Sequence, residues 1–207
     1  MKKYHKYVFD LGNRKFVGKF EEMYQSESKG IFDSWHQEDS RQIKTKIALS
    51  ILEEYNFNFI IDIGCGKGAL THRLKKKNNK VIGIDISKTA LSMARERYPD
   101  IDFICSDANN ISEFHNLLIS IEETFGRADL IFISEILSYI KNWKEILKRI
   151  SKHTEYFFLS LFIPENPIGF VKNEKDLVLE CERYFKIIER TTVHNERVAI
   201  IFGKRKK

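Results

Sequence analysis

The chain of 207 residues is poor in cysteine and proline and has no long apolar run. Its three cysteines, Cys65, Cys105 and Cys181, are scattered and lack the Cys-x-x-Cys spacing of a zinc site, so we predict no bound metal and a reducing compartment. No apolar run approaches the roughly 20 residues that span a bilayer, and the charged N-terminus lacks the apolar stretch of a signal peptide. We therefore expect a soluble, cytoplasmic protein.

Internal repeats, low-complexity blocks and proline-rich linkers are also missing from the sequence. An apolar fraction of 43% is enough for a single core at this length. We predict one α/β domain over residues 38–207, preceded by an N-terminal arm over residues 1–37, because strong periodicity begins near residue 40.

The net charge of +6 is not spread over the chain. Residues 1–20 carry six basic side chains against one acid, and residues 204–207 are all basic, which leaves the body of the chain net acidic. A basic excess confined to chain ends is usually a solvated terminus. We therefore expect no nucleic-acid partner from this charge pattern, and no membrane partner.

A glycine-rich segment is the most informative part of the sequence. Residues 59–63 are an apolar run interrupted only by Asp62, and Gly64, Gly66 and Gly68 follow at alternate positions. This pattern predicts a buried parallel strand that enters a tight loop and then a helix. Glycine allows positive φ and lets a ligand approach the main chain, so the loop predicts a nucleotide-like cofactor.

The identity of that cofactor depends on Asp62. The spacing Gly64-x-Gly66-x-x-Ala69 also satisfies the dinucleotide pattern, so an NAD-dependent oxidoreductase stays open as an alternative. A carboxylate beside a pyrophosphate is repulsive, whereas the ammonium group of an amino acid is attracted to it. Asp62 therefore favours a nucleoside that ends in an amino acid, with this carboxyl group facing the α-amino group.

A second acid lies at the end of the next apolar run. Asp85 follows residues 81–84 and stands 23 residues after Asp62, which is the distance that a strand, loop, helix and second strand require. An acid at this position commonly accepts hydrogen bonds from both ribose hydroxyls. The alternative is an acid that caps the helix beginning near Ser87.

The alternation of strands and helices continues to the end of the chain. Apolar runs at residues 101–105, 128–133 and 156–162 predict a third, fourth and fifth strand, and residues 184–193 and 197–202 predict a closing antiparallel hairpin. Alternating strands and helices are typical of an α/β fold with a mostly parallel sheet.

Four segments carry a resemblance to a known family. Asp62 with its three glycines resembles motif I of the class I S-adenosylmethionine-dependent methyltransferases. Three further runs resemble segments of the group related to nodulation protein S, which are N-methyltransferases acting on a sugar-derived amine; these runs are ALTHRL at 69–74, DISKTAL at 85–91 and SEILSYI at 134–140. The resemblance covers about residues 40–140.

This resemblance implies a fold, a cofactor and a set of binding residues. The implied fold is a Rossmann-like, seven-stranded, mostly parallel sheet of order 3-2-1-4-5-7-6, with the last strand antiparallel, helices on both faces and an N-terminal helical lid. The implied cofactor is S-adenosyl-L-methionine, with Asp107 at the adenine amino group and the Ala108 amide at a ring nitrogen. The implied cofactor-binding residues are Asp62, Gly64, Cys65, Gly66, Gly68, Asp85, Ile86, Asp107, Ala108 and Ser134.

The acceptor cannot be taken from the family, because two of its elements are altered here. Its Asp-Pro-Trp element appears as Asp33-Ser34-Trp35, and its Pro-Gly-Gly turn is replaced by residues 151–154. We expect methyl transfer to oxygen or nitrogen of a small molecule such as a sugar, a nucleotide-linked sugar or a biosynthetic intermediate. An RNA or DNA methyltransferase is the alternative, although residues 134–137 lack the Asn/Asp-Pro-Pro-Tyr/Phe motif of base methyltransferases.

A general base is needed only if the acceptor arrives protonated. The candidates are Glu135 and Tyr139 beyond the fourth strand, and His36 or His5 in the arm. Residues 16–24 alternate apolar and charged side chains at helical spacing, so we predict that the arm folds over the cofactor as a lid; an ordinary packing helix is the alternative. The oligomeric state stays open.

Overall fold

The computed structural model describes residues 4–30, 32–39 and 41–207, and it describes Glu196 by its backbone alone. Two basic residues of the N-terminal cluster, Lys2 and Lys3, lie outside the described residues. The described strands are β1 (Phe9–Asp10), β2 (Lys15–Phe16), β3 (Phe59–Ile63), β4 (Lys80–Asp85), β5 (Asp102–Cys105), β6 (Ala128–Ser134), β7 (Thr154–Phe162), β8 (Phe185–Val193) and β9 (Val198–Arg205). The described helices are α1 (His5–Val8), α2 (Phe20–Ser28), α3 (Ile43–Glu53), α4 (Ala69–Leu74), α5 (Lys88–Arg97), α6 (Ile111–Phe125), α7 (Trp143–Ile150) and α8 (Glu174–Tyr184).

Seven strands form the main sheet, in the order β5-β4-β3-β6-β7-β9-β8. Counted from β3, this is the predicted order 3-2-1-4-5-7-6, and the prediction is confirmed. All pairs are parallel except those of β9, which runs antiparallel to both β7 and β8. A short 3₁₀ turn at His194–Glu196 joins β8 to β9 and makes the predicted hairpin.

Both faces of the sheet are covered, as a parallel sheet requires. Every residue of β3 is buried, and alternate side chains point to opposite faces. Ile61 and Ile63 pack in a core with α6, α7 and α8, whereas Ile60 packs in a second core that includes Ala48 and Leu52 of α3. The apolar run in the sequence is therefore explained by helices on both sides.

The arm is a hairpin followed by a helix, and the helix predicted from residue 16 begins only at Phe20. Phe16 instead pairs with Phe9 in the β1–β2 hairpin. Asp10 closes the turn by accepting a hydrogen bond from the Asn13 amide at 3.0 Å, and Gly18 has a φ of +70° that no helix accommodates. The helical spacing was read correctly from residue 20 onward and wrongly before it.

Helix α2 packs against the main domain through α5. Val8, Met23 and Tyr24 of the arm share a buried cluster with Ala90 of α5. No helix in the described part of the chain combines the length and apolar character needed to cross a membrane.

Candidate active site at the carboxyl edge of the sheet

The loop between β3 and α4 folds back onto the end of β4. Gly64, Gly66 and Gly68 have φ values of +83°, +54° and +78°, which is the left-handed region predicted from the sequence. The Gly64 and Cys65 amides both donate to the Ile84 carbonyl, at 2.7 and 3.1 Å. The loop therefore lies at the carboxyl edge of the two central strands, where ligands bind in open α/β sheets.

The first and third glycines are needed for apolar packing within the chain. A Cβ on Gly64 would lie 2.2 Å from Cγ2 of Ile136, and a Cβ on Gly68 would lie 2.8 Å from Cζ of Phe103. The thiol of Cys65 is also turned inward, to a cluster with Leu91 and Ala94, and burial raises its pKa well above the usual value. At these positions only the main chain is available to a ligand.

Asp85 joins this loop to the start of α5. Its carboxylate accepts hydrogen bonds from the Gly66 amide at 2.8 Å and from the Ser87 amide at 2.9 Å. Burial raises its pKa although both amides favour the charged form. Ser87 itself caps α5 by accepting from the Ala90 amide at 3.1 Å, so the capping role considered for Asp85 belongs to Ser87.

Asp62 lies beneath the loop and not at its surface. It is 3% exposed, and its Oδ2 accepts a hydrogen bond from the Thr71 hydroxyl of α4 at 2.6 Å. Burial raises its pKa to about 7, so it is only partly ionised near neutral pH. The structure thus shows Asp62 anchoring α4, in place of the open carboxylate expected to face a ligand ammonium.

The residues expected at the adenine end lie around the ends of β4 and β5. Asp85 and Cys105 are neighbours in the sheet register, and Ile86 is 41% exposed. Asp107 is half-buried and accepts a hydrogen bond from the Asn109 amide at 2.8 Å, with Ala108 between them. These positions therefore converge on one edge of the sheet.

Glu135 follows β6 in a strained conformation, with a φ of +65°. Its Oε2 accepts a hydrogen bond from the Phe162 amide at 2.9 Å, and its Oε1 lies 3.2 Å from the Lys44 ammonium. That pair is outside hydrogen-bonding geometry, and Oε1 is buried without a hydrogen-bond partner among the described residues. The preceding Ser134 hydroxyl lies 2.9 Å from the Ser160 hydroxyl.

Tyr139 lies under the arm. Its ring contacts those of Phe9, Phe16, Phe20 and Trp35, with centroid separations of 5.2 to 6.0 Å. Burial, followed by the charge of Glu135, raises its pKa far above the usual value, so the phenol stays protonated. A phenol in this state can donate a hydrogen bond but does not act as a base.

The candidate histidines of the arm are placed differently. His36 is half-exposed, has a φ of +47°, and lies 3.5 Å from Asp33. Its carbonyl accepts a hydrogen bond from Nε2 of the Gln42 side chain at 2.7 Å. His5 stacks edge-on against Tyr4 in α1, 4.9 Å away. Among the described side chains, no group of three His, Cys, Asp or Glu residues is arranged to hold a metal ion.

The contact between the arm and the glycine loop was missed from the sequence. The Lys67 ammonium, between Gly66 and Gly68, lies 2.5 Å from Glu27 Oε1 and 2.7 Å from Asp33 Oδ1. Burial alone would lower the pKa of Lys67, but its bonds to these carboxylates outweigh burial and raise it. The partners are separated by 40 and 34 residues, so no local spacing could have revealed the contact.

A second tie joins the arm to α5. Glu21 accepts hydrogen bonds from the hydroxyls of Ser87 and Thr89, both at 2.6 Å. The arm therefore contacts both the glycine loop and the segment that follows Asp85.

Fold and loop together define a class: a Rossmann-like sheet of methyltransferase order, with a glycine turn after its first strand and an acid after its second. Residues 61–155 match the family profile described as methyltransferase domain. Over these residues the chain is similar to methyltransferase domains, in agreement with the resemblance found in the sequence.

Curated relatives are similar to this chain over short segments. The chain is 33% identical over 86 residues to the putative methyltransferase 235L of Invertebrate iridescent virus 6, covering 40% of this chain and 32% of that protein. It is 41% identical over 69 residues to trans-aconitate 2-methyltransferase of Afipia carboxidovorans, covering 32% of this chain and 27% of that protein. The chain thus spans about a third of the length of these curated relatives.

Solved structures share the fold at low identity. The N-methyltransferase NodS of Bradyrhizobium japonicum, in complex with S-adenosylhomocysteine, superposes with a TM-score of 0.68 and 17% identity, covering 89% of this chain and 98% of that chain. The magnesium protoporphyrin IX methyltransferase of Synechocystis, with bound S-adenosylhomocysteine, superposes with a TM-score of 0.61 and 15% identity, covering 79% of this chain and 82% of that chain.

Proposed function

We propose that this protein transfers a methyl group from S-adenosylmethionine to oxygen or nitrogen of a small-molecule acceptor. The observation that carries the proposal is the hydrogen bond between Asp85 and the Gly66 amide, which joins a carboxylate to the glycine loop at the carboxyl edge. Two solved neighbours of this fold hold S-adenosylhomocysteine.

The cofactor-binding roles follow the edge of the sheet. The main chain of Gly64 to Gly68 would hold the methionine portion of the cofactor, and Asp85 would accept hydrogen bonds from the ribose hydroxyls. Ile86 would pack against the adenine, and Asp107 with the Ala108 amide would recognise its polar edge. Asp62 acts through the loop that it anchors, because its carboxyl group is covered by the chain's own atoms.

Positioning supplies most of the rate enhancement. Methyl transfer from a sulfonium is an in-line displacement that removes positive charge from sulfur, so tighter binding of that charge in the ground state gains little. Alignment of reacting atoms about 3–3.5 Å apart can remove roughly 7–11 kcal/mol of barrier in favourable intramolecular models. The aromatic cluster around Tyr139 keeps the arm packed over the edge and excludes water from it.

Glu135 is the candidate base for a protonated acceptor. Its Oε1 is buried and lacks a hydrogen-bond partner among the described residues, which is the environment of a group that receives one from a ligand. Lys44 offsets its charge from 3.2 Å. Tyr139, being protonated, is assigned to packing or to hydrogen-bond donation, and half-exposed His36 is the weaker candidate for proton transfer.

Residues 1–37 are proposed as a lid and residues 38–207 as the catalytic domain. The cysteines are free thiols, two of them buried, which fits a reducing cytoplasm. Among the similar proteins, one is named for the small molecule trans-aconitate, and NodS is named as an N-methyltransferase. These names support a small acceptor over nucleic acid.

Calorimetric titration of the protein with S-adenosylmethionine, S-adenosylhomocysteine and NAD tests this proposal. We expect saturable binding of the first two and none of NAD, and an Asp85→Asn variant should bind them more weakly. Binding of NAD with no response to the sulfur ligands would overturn the assignment in favour of an oxidoreductase.

A further inference from the structure

Two polar side chains of the arm, Tyr24 and Gln37, lie directly over the second glycine of the loop. A Cβ on Gly66 would meet Gln37 Nε2 at 2.2 Å and the Tyr24 hydroxyl at 2.8 Å. The corresponding space at Gly64 and Gly68 is filled by apolar side chains. Among the three glycines of this loop, Gly66 is therefore the one whose α-carbon faces hydrogen-bonding side chains.

These two side chains are held in place but are not saturated. Gln37 Oε1 accepts a hydrogen bond from the Lys67 amide at 2.9 Å, and Gln37 Nε2 donates one to the Tyr24 hydroxyl at 3.2 Å. A carboxamide has two N–H donors and a phenol has one O–H donor, so the pair retains donor capacity after this bond. Tyr24 is 3% exposed, and a buried hydroxyl normally has a partner for its proton.

Asp85 lies close to the same pair. It binds the Gly66 amide, and its negative charge, after burial, is the next cause that raises the pKa of Tyr24. A ligand carboxylate at this point would meet the charge of Asp85 and be repelled. A ribose hydroxyl suits both partners, because it donates to a carboxylate and accepts from an amide or phenol.

We propose that Gln37 and Tyr24 bind the ribose of the cofactor together with Asp85, so that the arm contributes part of the nucleoside site. This inference rests on the proposed function and adds two residues and a ligand group to it. The ribose hydroxyls donate to Asp85 and accept hydrogen bonds from Gln37 Nε2 and from the Tyr24 hydroxyl.

The rest of the arm fixes the position of this pair. The Lys67 ammonium binds Glu27, one turn beyond Tyr24 on α2, and Glu21 binds Ser87 two residues after Asp85. Both ties connect the arm to the segments that carry Gly66 and Asp85. Side chains held in this way meet a ligand with little loss of conformational entropy.

The test compares Gln37→Ala and Tyr24→Phe with wild type by calorimetry, using S-adenosylhomocysteine and 5′-methylthioadenosine, which keeps the ribose but lacks the amino acid. Each variant should bind both ligands about three- to tenfold more weakly, as the loss of one hydrogen bond predicts. Ser28→Ala is the matched control, because that exposed arm hydroxyl donates only to the Gln25 carbonyl at 2.9 Å in its described contacts. Tyr24→Phe keeps the ring, so it tests the hydroxyl even if Gln37→Ala loosens the arm; circular dichroism checks the fold.

The outcomes separate this inference from the proposed function. Failure of the wild-type protein to bind S-adenosylhomocysteine contradicts the proposed function. If wild type binds it and Gln37→Ala binds equally or more tightly, Gln37 is only a side chain that the ligand displaces, and the inference is wrong. A loss confined to S-adenosylhomocysteine would overturn the assignment to ribose, since the contact would then belong to the amino-acid end.

Discussion

The glycine loop and the arm that covers it are built by different forces. The loop is held by backbone amides of Gly64 and Cys65 on the Ile84 carbonyl and by apolar side chains such as Ile136. The arm is held by the buried ion pair of Lys67 with Glu27 and by aromatic rings around Tyr139. Both sets of contacts cross tens of residues, but the loop is held by parts of the main domain, whereas the ion pair of the arm depends on the loop itself.

This difference implies that the loop can form without the arm, whereas the arm cannot settle without the loop. A buried ion pair needs both partners in place, because either one alone leaves an uncompensated charge. Lys67 therefore couples the order of the arm to the order of the loop.

The largest expected effect concerns Glu135, at the edge of the sheet. Glu135→Gln keeps the shape but removes the base, so turnover of a protonated acceptor should fall roughly a hundredfold to ten-thousandfold. Binding of S-adenosylhomocysteine should change little. The measurements are acceptor-dependent formation of S-adenosylhomocysteine and calorimetry with that product. Equal turnover in both proteins would show that the acceptor reacts without Glu135.

Lys67→Met should destabilise the protein by about 3–5 kcal/mol, because Glu27 would be left as an unpaired buried charge. Both side chains are buried, at 8% and 6% exposure. Lys19→Met is the control within the same arm, since its pair with Glu22 is about half-exposed and should contribute about 0–1 kcal/mol. Urea unfolding measures both, and similar losses in the two variants would contradict the coupling role of Lys67.

The raised pKa of Asp62, beneath the loop, predicts that the stability of the protein depends on pH. Its pKa is raised to about 7 in the folded protein from 3.8, so the folded state keeps a proton that the unfolded chain releases. The free energy of unfolding should therefore fall as pH rises from about 4 to about 7, by on the order of 4 kcal/mol, and level off above that range.

Asp62→Asn isolates this contribution, because the amide oxygen can still accept the Thr71 hydroxyl. Asp85 also has a raised pKa and is present in both proteins, and its charge contributes to the raised pKa of Asp62, so the difference between the two stability curves reports Asp62 together with this coupling. Urea unfolding between pH 4 and 8 gives both curves. Parallel curves would mean that Asp62 is ionised throughout this range.

The sequence predicted the main sheet and the glycine loop well. The glycine turn and the closing hairpin were confirmed, because apolar runs, glycines and acids mark the ends of strands without reference to distant residues. The strand order, which the family resemblance implied, was also confirmed. The convergence of Asp85, Ile86 and Asp107 at one edge followed from the same rule, since parallel strands present their carboxyl ends together.

Tertiary contacts of the arm could not be predicted in this way. The hairpin before α2 depends on a short turn and on Gly18, which interrupt an apparently helical spacing. Gln37 contacts the Lys67 amide across 30 residues, and no periodicity connects the two. Asp62 was correctly placed on its strand, but its depth of burial depends on α4 and on Thr71, which only the folded structure shows.

The smallest expected effect is on the stability of Gly66→Ala, and it separates the cost of backbone strain from the cost of contact with the arm. Alanine in the left-handed region costs about 1 kcal/mol, which applies to Gly30 at φ +76° and to Gly66 at φ +54°. A Cβ on Gly30 meets nothing within 4 Å, whereas a Cβ on Gly66 meets Gln37 at 2.2 Å. Gly66→Ala should therefore be destabilised more than Gly30→Ala, by about 1 kcal/mol or more, as overpacking predicts.

Combining Gly66→Ala with Gln37→Ala should remove that excess. If the second glycine is required by the arm, the double variant loses less stability than the two single losses added together, and urea unfolding of all four proteins gives the coupling energy. If the losses are additive, Gly66 is required only by its own backbone, and the contact with Gln37 would not explain the glycine. The cycle thus decides whether the second glycine belongs to the loop alone or to the joint between loop and arm.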